Sequence, residues 1–170
     1  WDDSGNQLVG HILMDYIYLD SPERKRFAQS GHEYLIERMQ IDRFDSIHQE
    51  ELDIELDFTN PSKEIVWIMS KDAYTQNESG WNECKWDNYT VGTLGLGTNP
   101  ILTSSLAFNN YTRVEKQNSI YFDTYQPLMH HKVTPSTGIN IYSFAIDPLQ
   151  QQPTGSCNFS RLTNAKLFLA

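Results

Sequence analysis

Basic residues are scarce in this sequence. Its 13 Lys and Arg stand against 22 Asp and Glu, a formal net charge of −9. So acidic a surface disfavours a direct grip on nucleic acid or anionic lipid. Long apolar runs are missing too. Nothing approaches the roughly 20 residues that a spanning helix needs, so no membrane insertion is expected. Cysteine is nearly absent. Cys84 and Cys157 match no zinc spacing and neither has a second thiol nearby, so both are expected to be free and not bonded to each other. There is no internal repeat, no low-complexity tract and no strand–helix–strand rhythm of the kind that marks a parallel sheet.

The 170 residues suffice for one domain with a real core and are too few for two comfortable ones. Hydrophobic content of 39% with 21% charged residues reads as globular. The chain opens on Trp1 rather than Met and closes on the apolar run Lys166-Leu167-Phe168-Leu169-Ala170. Both ends are expected to be cuts in a longer protein.

The clearest local signal is Glu51 to Phe58. Leu52, Ile54, Leu56 and Phe58 alternate with Glu51, Asp53, Glu55 and Asp57. Only a period of two puts all four apolar residues on one face, so this is a half-buried strand with an acidic outer face. Asn60-Pro61 breaks it, and Lys63 to Ser70 follows as a mostly buried strand, expected to pair with it. His11 to Leu19 reads as a strand buried on both faces. Ser21 is the expected N-cap of a short helix from Pro22 to Gln29. His32 to Gln40 is ambiguous between helix and strand, and the alternation of Tyr34 and Ile36 tips it towards strand. Lys71 to Pro100 is a long polar loop, a length that usually serves a contact. Ile101 to Phe108 is a further strand, Ser119 to Tyr125 one or two helical turns, and Gly138 to Ile146 a strong strand. From Ser156 the chain is extended again. About seven strands with short insertions suit an all-β sandwich.

Candidate chemistry is thin. The acidic residues of Glu51 to Asp57 recur at about 7 Å along a strand, and a solvated strand face explains them without a metal. His130 and His131 are adjacent, and in extended chain they point opposite ways, which suits a contact role better than a shared ion. Gly92, Gly95 and Gly97 run in the order GxxGxG, with no strand leading in and no helix leading out, so they make a flexible loop and not a nucleotide cradle. Arg24, Lys25 and Arg26 form a small basic knot that suits salt bridges better than nucleic acid. No nucleophile, acid pair, cofactor site or metal site is placed by a motif. Four Asn-x-Ser/Thr sequons occur, at Asn77, Asn88, Asn110 and Asn158. Chance accounts for such matches in an Asn-rich chain. Asn77, Asn88 and Asn110 stand as the candidate glycosylation positions.

Three segments together resemble one family. They are Asp15-Tyr16-Ile17-Tyr18-Leu19-Asp20-Ser21-Pro22-Glu23-Arg24-Lys25-Arg26-Phe27-Ala28-Gln29, then His32-Glu33-Tyr34-Leu35-Ile36-Glu37, then Gly138 to Ala145 with Gln152-Pro153-Thr154-Gly155-Ser156-Cys157-Asn158-Phe159-Ser160-Arg161. Their order and spacing are similar to the major capsid protein of nucleocytoplasmic large DNA viruses. The resemblance implies a double jelly-roll protein that forms homotrimers, contacts neighbouring capsomers and minor capsid proteins, and tiles an icosahedral shell. The expected localisation is the virion, with assembly in the infected host cytoplasm. The family has no catalytic residue, cofactor or metal to transfer.

On this reading residues 1–170 are the C-terminal jelly roll, an all-β sandwich of two antiparallel sheets with short helical insertions. Lettering its strands in the order B-I-D-G and C-H-E-F puts His11 to Leu19 at B, Glu51 to Phe58 at D and Ser156 onwards at H. The last strand, I, would then be missing. The competing reading is a secreted or cell-surface glycosylated β-sandwich binding module, which the sequons and the missing leader Met suggest.

Overall fold

The computed structural model describes residues 10–45, 47–75, 86–92 and 97–170. The chain divides into two units, Trp1–Glu37 and Arg38–Ala170.

The first unit holds helix α1 (Ser21–Gln29). It starts one residue earlier than Pro22, and its cap is Asp20 and not Ser21. The Asp20 carboxylate accepts the Glu23 backbone N–H at 3.0 Å, which satisfies an orphan donor of the first turn. The strands predicted over 11–19 and 32–40 do not form. A strand exists by sharing its backbone groups with a neighbour, and the described residues of this unit contain no second strand. Residues 10–18 are all exposed, apolar ones included.

The second unit runs β1 (Leu52–Glu55), β2 (Pro61–Ser62), β3 (Glu64–Ile68), α2 (Asp72–Thr75), β4 (Thr103–Phe108), β5 (Tyr111–Asn118), a π-helical turn (Tyr121–Tyr125), α3 (Gln126–His131), β6 (Ile139–Ser143), β7 (Cys157–Asn158), a 3-10 turn (Phe159–Arg161) and β8 (Ala165–Leu169). The strands form one four-stranded sheet, ordered β1-β8-β4-β5, and two ribbons, β2-β7 and β3-β6, all antiparallel.

The period-two reading of β1 holds. Leu56 is buried, Leu52, Ile54 and Phe58 are half-buried against the core, and Glu51, Asp53, Glu55 and Asp57 are exposed. The pairing differs from expectation. β1 does not form a hairpin with β3. It pairs with β8 in the register Leu52↔Leu169 and Ile54↔Leu167, while β3 pairs with β6. Between them Asn60 takes a left-handed conformation (φ 70) and β2 pairs with β7, so the chain crosses from one sheet to the other.

Strand β8 is an inner strand between β1 and β4, bonded to both.

Strand β5 gives little sign of itself in the sequence. Only Val114 is half-buried, so there is no alternation to see. The turn before it is legible in hindsight: Asn109 (φ 52) and Asn110 (φ 65) are two consecutive left-handed residues, as a tight two-residue hairpin requires. The two sheet faces meet in one core. Leu106, Leu167 and Leu169 from the large sheet meet Ile65, Trp67 and Tyr142 from the β3-β6 ribbon, with Phe122 among them. Phe58, Phe108 and Phe144 surround Phe159 at ring distances of 6.0, 5.7 and 5.9 Å.

Candidate functional site

The π-helical turn and α3 pack against β6. Under them lies a buried polar network that the sequence did not announce. The Asn99 amide donates to Asp123 Oδ2 (3.2 Å) and to Asn140 Oδ1 (2.8 Å), and Asn99 Oδ1 accepts the Ile101 N–H at 3.0 Å. Thr124 donates to Asp123 Oδ1, and Gln126 donates to the Tyr121 hydroxyl. The network ties the return of the long loop to β6 and to the π-turn. Buried polar groups need such partners, so this is a structural knot. At Gly138 (φ +95), where the loop meets β6, a Cβ would collide with the Tyr89 carbonyl, so only glycine fits.

His130 and His131 sit in the last turn of α3, not in extended chain. His130 Nδ1 donates to the Ile146 carbonyl at 3.0 Å, and His131 Nε2 donates to Glu64 Oε2 at 2.8 Å. The two rings thus hold different partners and fasten α3 to β3 and to the loop after β6. Replacing both by Ala is expected to cost about 1–3 kcal/mol of stability, two modest hydrogen bonds, read as a fall in the urea midpoint at unchanged slope.

Beside this clasp Asp147 shapes the loop to Thr154. The Gln150 side chain, donating at 3.2 Å, holds the Asp147 carboxyl below its usual value. Partial desolvation opposes this, while the Leu149 N–H and the nearby Lys132 and His131 assist it. This anchor is present above the ordinary carboxylate pKa and is lost as pH falls through the lowered one.

Among the described residues no three His, Cys, Asp or Glu side chains come together as metal ligands. The acidic residues of Glu51 to Asp57 face outward, and Glu55 lies opposite Lys166 in register. A cleft of about 380 Å³ lies between residues 55–58 and the turn before β8, floored by Leu56, Phe58 and Phe159 and flanked by Glu55 and Asp57. It carries no nucleophile with a base beside it. Arg24, Lys25 and Arg26 are exposed on α1. Of the glycine loop, Gly95 lies outside the described residues, while Val91 and Thr98 close its ends through two backbone bonds of 2.9 and 3.0 Å.

Of the sequons, Asn77 lies outside the described residues. Asn88 is buried (2% exposed) and its Oδ1 accepts from the backbone and hydroxyl of Thr90. Asn110 is exposed at the β4–β5 turn. Cys84 also lies outside the described residues. Cys157 is half-buried and free, and burial raises its thiol pKa above the ordinary value against a smaller opposing pull from Arg113. It is expected to alkylate slowly in the native state at neutral pH, whereas denatured protein should yield two titratable thiols. Finding none would contradict the unbonded reading.

The remaining feature is a surface. Leu128 and Met129 on α3, Val133 after it, and Ile146 and Leu149 after β6 are all large, apolar and exposed. The His130 bond to Ile146 holds the two stretches side by side. An exposed apolar area of this kind marks a contact face more often than a catalytic one.

The comparisons agree with a structural role. The family model described as large eukaryotic DNA virus major capsid protein matches residues 23–170. The chain is similar to the major capsid protein of Pyramimonas orientalis virus, 33% identical over 93% of this chain and 40% of that protein. It is likewise 33% identical to the major capsid protein of Paramecium bursaria Chlorella virus 1, over 93% of this chain and 41% of the relative. Among solved structures it is similar to a chain of the PBCV-1 virus capsid, with a TM-score of 0.70 and 30% identity, covering 91% of this chain and 42% of that one. A Faustovirus major capsid protein shares the fold, with a TM-score of 0.60 at 14% identity. The chain spans less than half the length of these relatives.

Proposed function

Because the chain belongs to the large eukaryotic DNA virus major capsid protein family, we propose that it is part of a shell subunit that trimerises into a capsomer and tiles an icosahedral capsid. The observation that carries this reading is the match over 91% of the chain, at 30% identity, to a chain of a virus capsid. The jelly-roll fold fits it, because a sandwich offers broad sides to neighbours while its core stays closed. The exposed apolar face of α3 and the Ile146–Leu149 loop is the surface suited to such a neighbour. The secreted-module reading is set aside, since the family match covers residues 23–170.

Within the intact protein, Arg38–Ala170 is read as one of two jelly rolls, the C-terminal one. Partners would be other copies, neighbouring capsomers and minor capsid proteins, with assembly in the host cytoplasm. No step of this role needs turnover or a cofactor.

Light scattering on the purified full-length protein tests the proposal. The expected mass is three protomers. Met129→Glu with Ile146→Glu, which charges the apolar face while leaving the core alone, should shift the protein towards monomer. A wild-type protein that stays monomeric across the accessible concentration range would remove the trimer from this account.

A further inference from the structure

We propose that the free edge of β1 is the docking site for an extended, basic segment of another polypeptide, which joins the large sheet as a further strand. This surface is separate from the apolar face of α3, and the inference does not rest on the capsid reading.

The backbone sets the geometry. In the order β1-β8-β4-β5, β1 has a neighbour on one side only. The Leu56 N–H donates to the Ala165 carbonyl at 2.8 Å. Backbone groups alternate in direction along a strand. In the register Leu52↔Leu169 and Ile54↔Leu167, the N–H and C=O of Leu52, Ile54 and Leu56 therefore face β8. Those of Asp53 and Glu55 face away from it, and no hydrogen bond engages them among the described residues. The ladder with β8 has no bulge, whereas β5, at the other edge of the sheet, shifts register twice against β4. Bulges twist an edge out of a partner's reach. Of these two edges, β1 keeps the regular shape that a new strand needs.

Just past the strand, such pairing exists in miniature. The Gln40 side chain donates to the Thr59 carbonyl at 2.8 Å and accepts the Thr59 N–H at 2.9 Å. This is the two-bond exchange of an antiparallel pair, made by a carboxamide from a residue that belongs to no strand. The main chain here takes an amide partner without any change of fold.

Charge names the occupant. Asp53 and Glu55, whose backbone is open, also carry exposed carboxylates, and exposed Glu51 and Asp57 extend the row. Strand β8 offers one cation against them, Lys166 opposite Glu55, while Asp53 stands opposite Phe168. A second copy of β1 laid along the edge would set carboxylate against carboxylate, which destabilises a strand pair. Nucleic acid and anionic lipid are repelled by the same charge. An incoming strand with Lys or Arg at alternate positions meets the row. Apolar residues between them extend the half-buried face of Leu52 and Ile54. The carboxylates thus guard the edge against its own kind and leave it open to a basic partner.

The test uses the purified full-length protein and, as probe, a dye-labelled peptide of alternating Lys and Val. Fluorescence anisotropy should show binding that weakens as salt rises. N-methylating every second amide keeps the charge and removes the strand hydrogen bonds, and should weaken binding by about tenfold. A peptide of alternating Glu and Val should not bind. Asp53→Lys with Asp57→Lys, both at exposed positions, should reverse the preference between the two peptides. Hydrogen exchange supplies a second reading. The Asp53 and Glu55 amides should exchange fast in the protein alone and slowly with the basic peptide bound. Absence of binding, or equal binding of the N-methylated peptide, would overturn the proposal. So would Asp53 and Glu55 amides already protected in the protein alone, since another part of the same polypeptide or a second copy would then hold the edge.

Discussion

Phe122→Ala is expected to lower the stability of the Arg38–Ala170 unit by about 3–5 kcal/mol, the usual range for emptying a large aromatic site in a core. Phe122 has no exposed surface. Its ring stands edge-on to Trp67 of β3 at 5.1 Å and to Tyr121 at 5.0 Å, and each such pair adds about 0.5–1.5 kcal/mol beyond area burial. It is also the residue before Asp123, which holds Asn99. Loss of the ring thus opens a cavity and loosens the polar knot that fixes the long loop. Val66, on the half-exposed outer face of β3, is the control, and Val66→Ala should cost under about 1 kcal/mol. Urea unfolding followed by Trp fluorescence separates the two. A loss below about 1 kcal/mol for Phe122→Ala would mean that the π-turn does not pack where the structure puts it.

The second large effect concerns residues 10–19. Leu13 is 97% exposed and Tyr18 91%, with Ile12, Met14, Tyr16 and Ile17 also open. Burying such a side chain is worth about 1.5–3 kcal/mol each, so six of them together form a strong driving force for association. The 170-residue chain alone is expected to self-associate and bind an apolar dye. Removing residues 1–37 should leave a soluble, cooperatively melting unit, because the Arg38–Ala170 sandwich keeps its own core and its own inner strand β8. The full-length protein should also be soluble if the rest of the chain covers this segment. Light scattering at several concentrations reads all three. A 170-residue chain that is monomeric and does not bind the dye would refute the expectation.

These two predictions mark what was legible in the sequence. The alternation of Leu52 to Phe58 with Glu51 to Asp57 fixed strand, face and core side, because a period of two is a local property. The partners of that strand were not legible. Leu52 pairs with Leu169 from the other end of the chain, and nothing local distinguishes that register from a hairpin with β3. Residues 11–19 look like a strand and were given a place in this sandwich, but strand propensity says nothing about which sheet will take it. β5 was invisible because exposure on both faces erases the pattern. The histidines were read in extended chain, whereas they stand in a helical turn and reach different partners. The Asn99, Asp123 and Asn140 knot had no local signal, since its members come from three separated segments. The family resemblance was legible because its segments carry side-chain patterns together with spacing, and the match over residues 23–170 agrees with it.

The central claim is that this chain builds the wall of a virus particle. A cryo-EM reconstruction of purified particles tests it most directly. The account predicts shell density in which the Arg38–Ala170 jelly roll fits with its sheet order β1-β8-β4-β5 and with Phe122, Trp67 and Phe159 resolved in its core. Shell density traced entirely by another sequence, with this one absent from the wall, would contradict it.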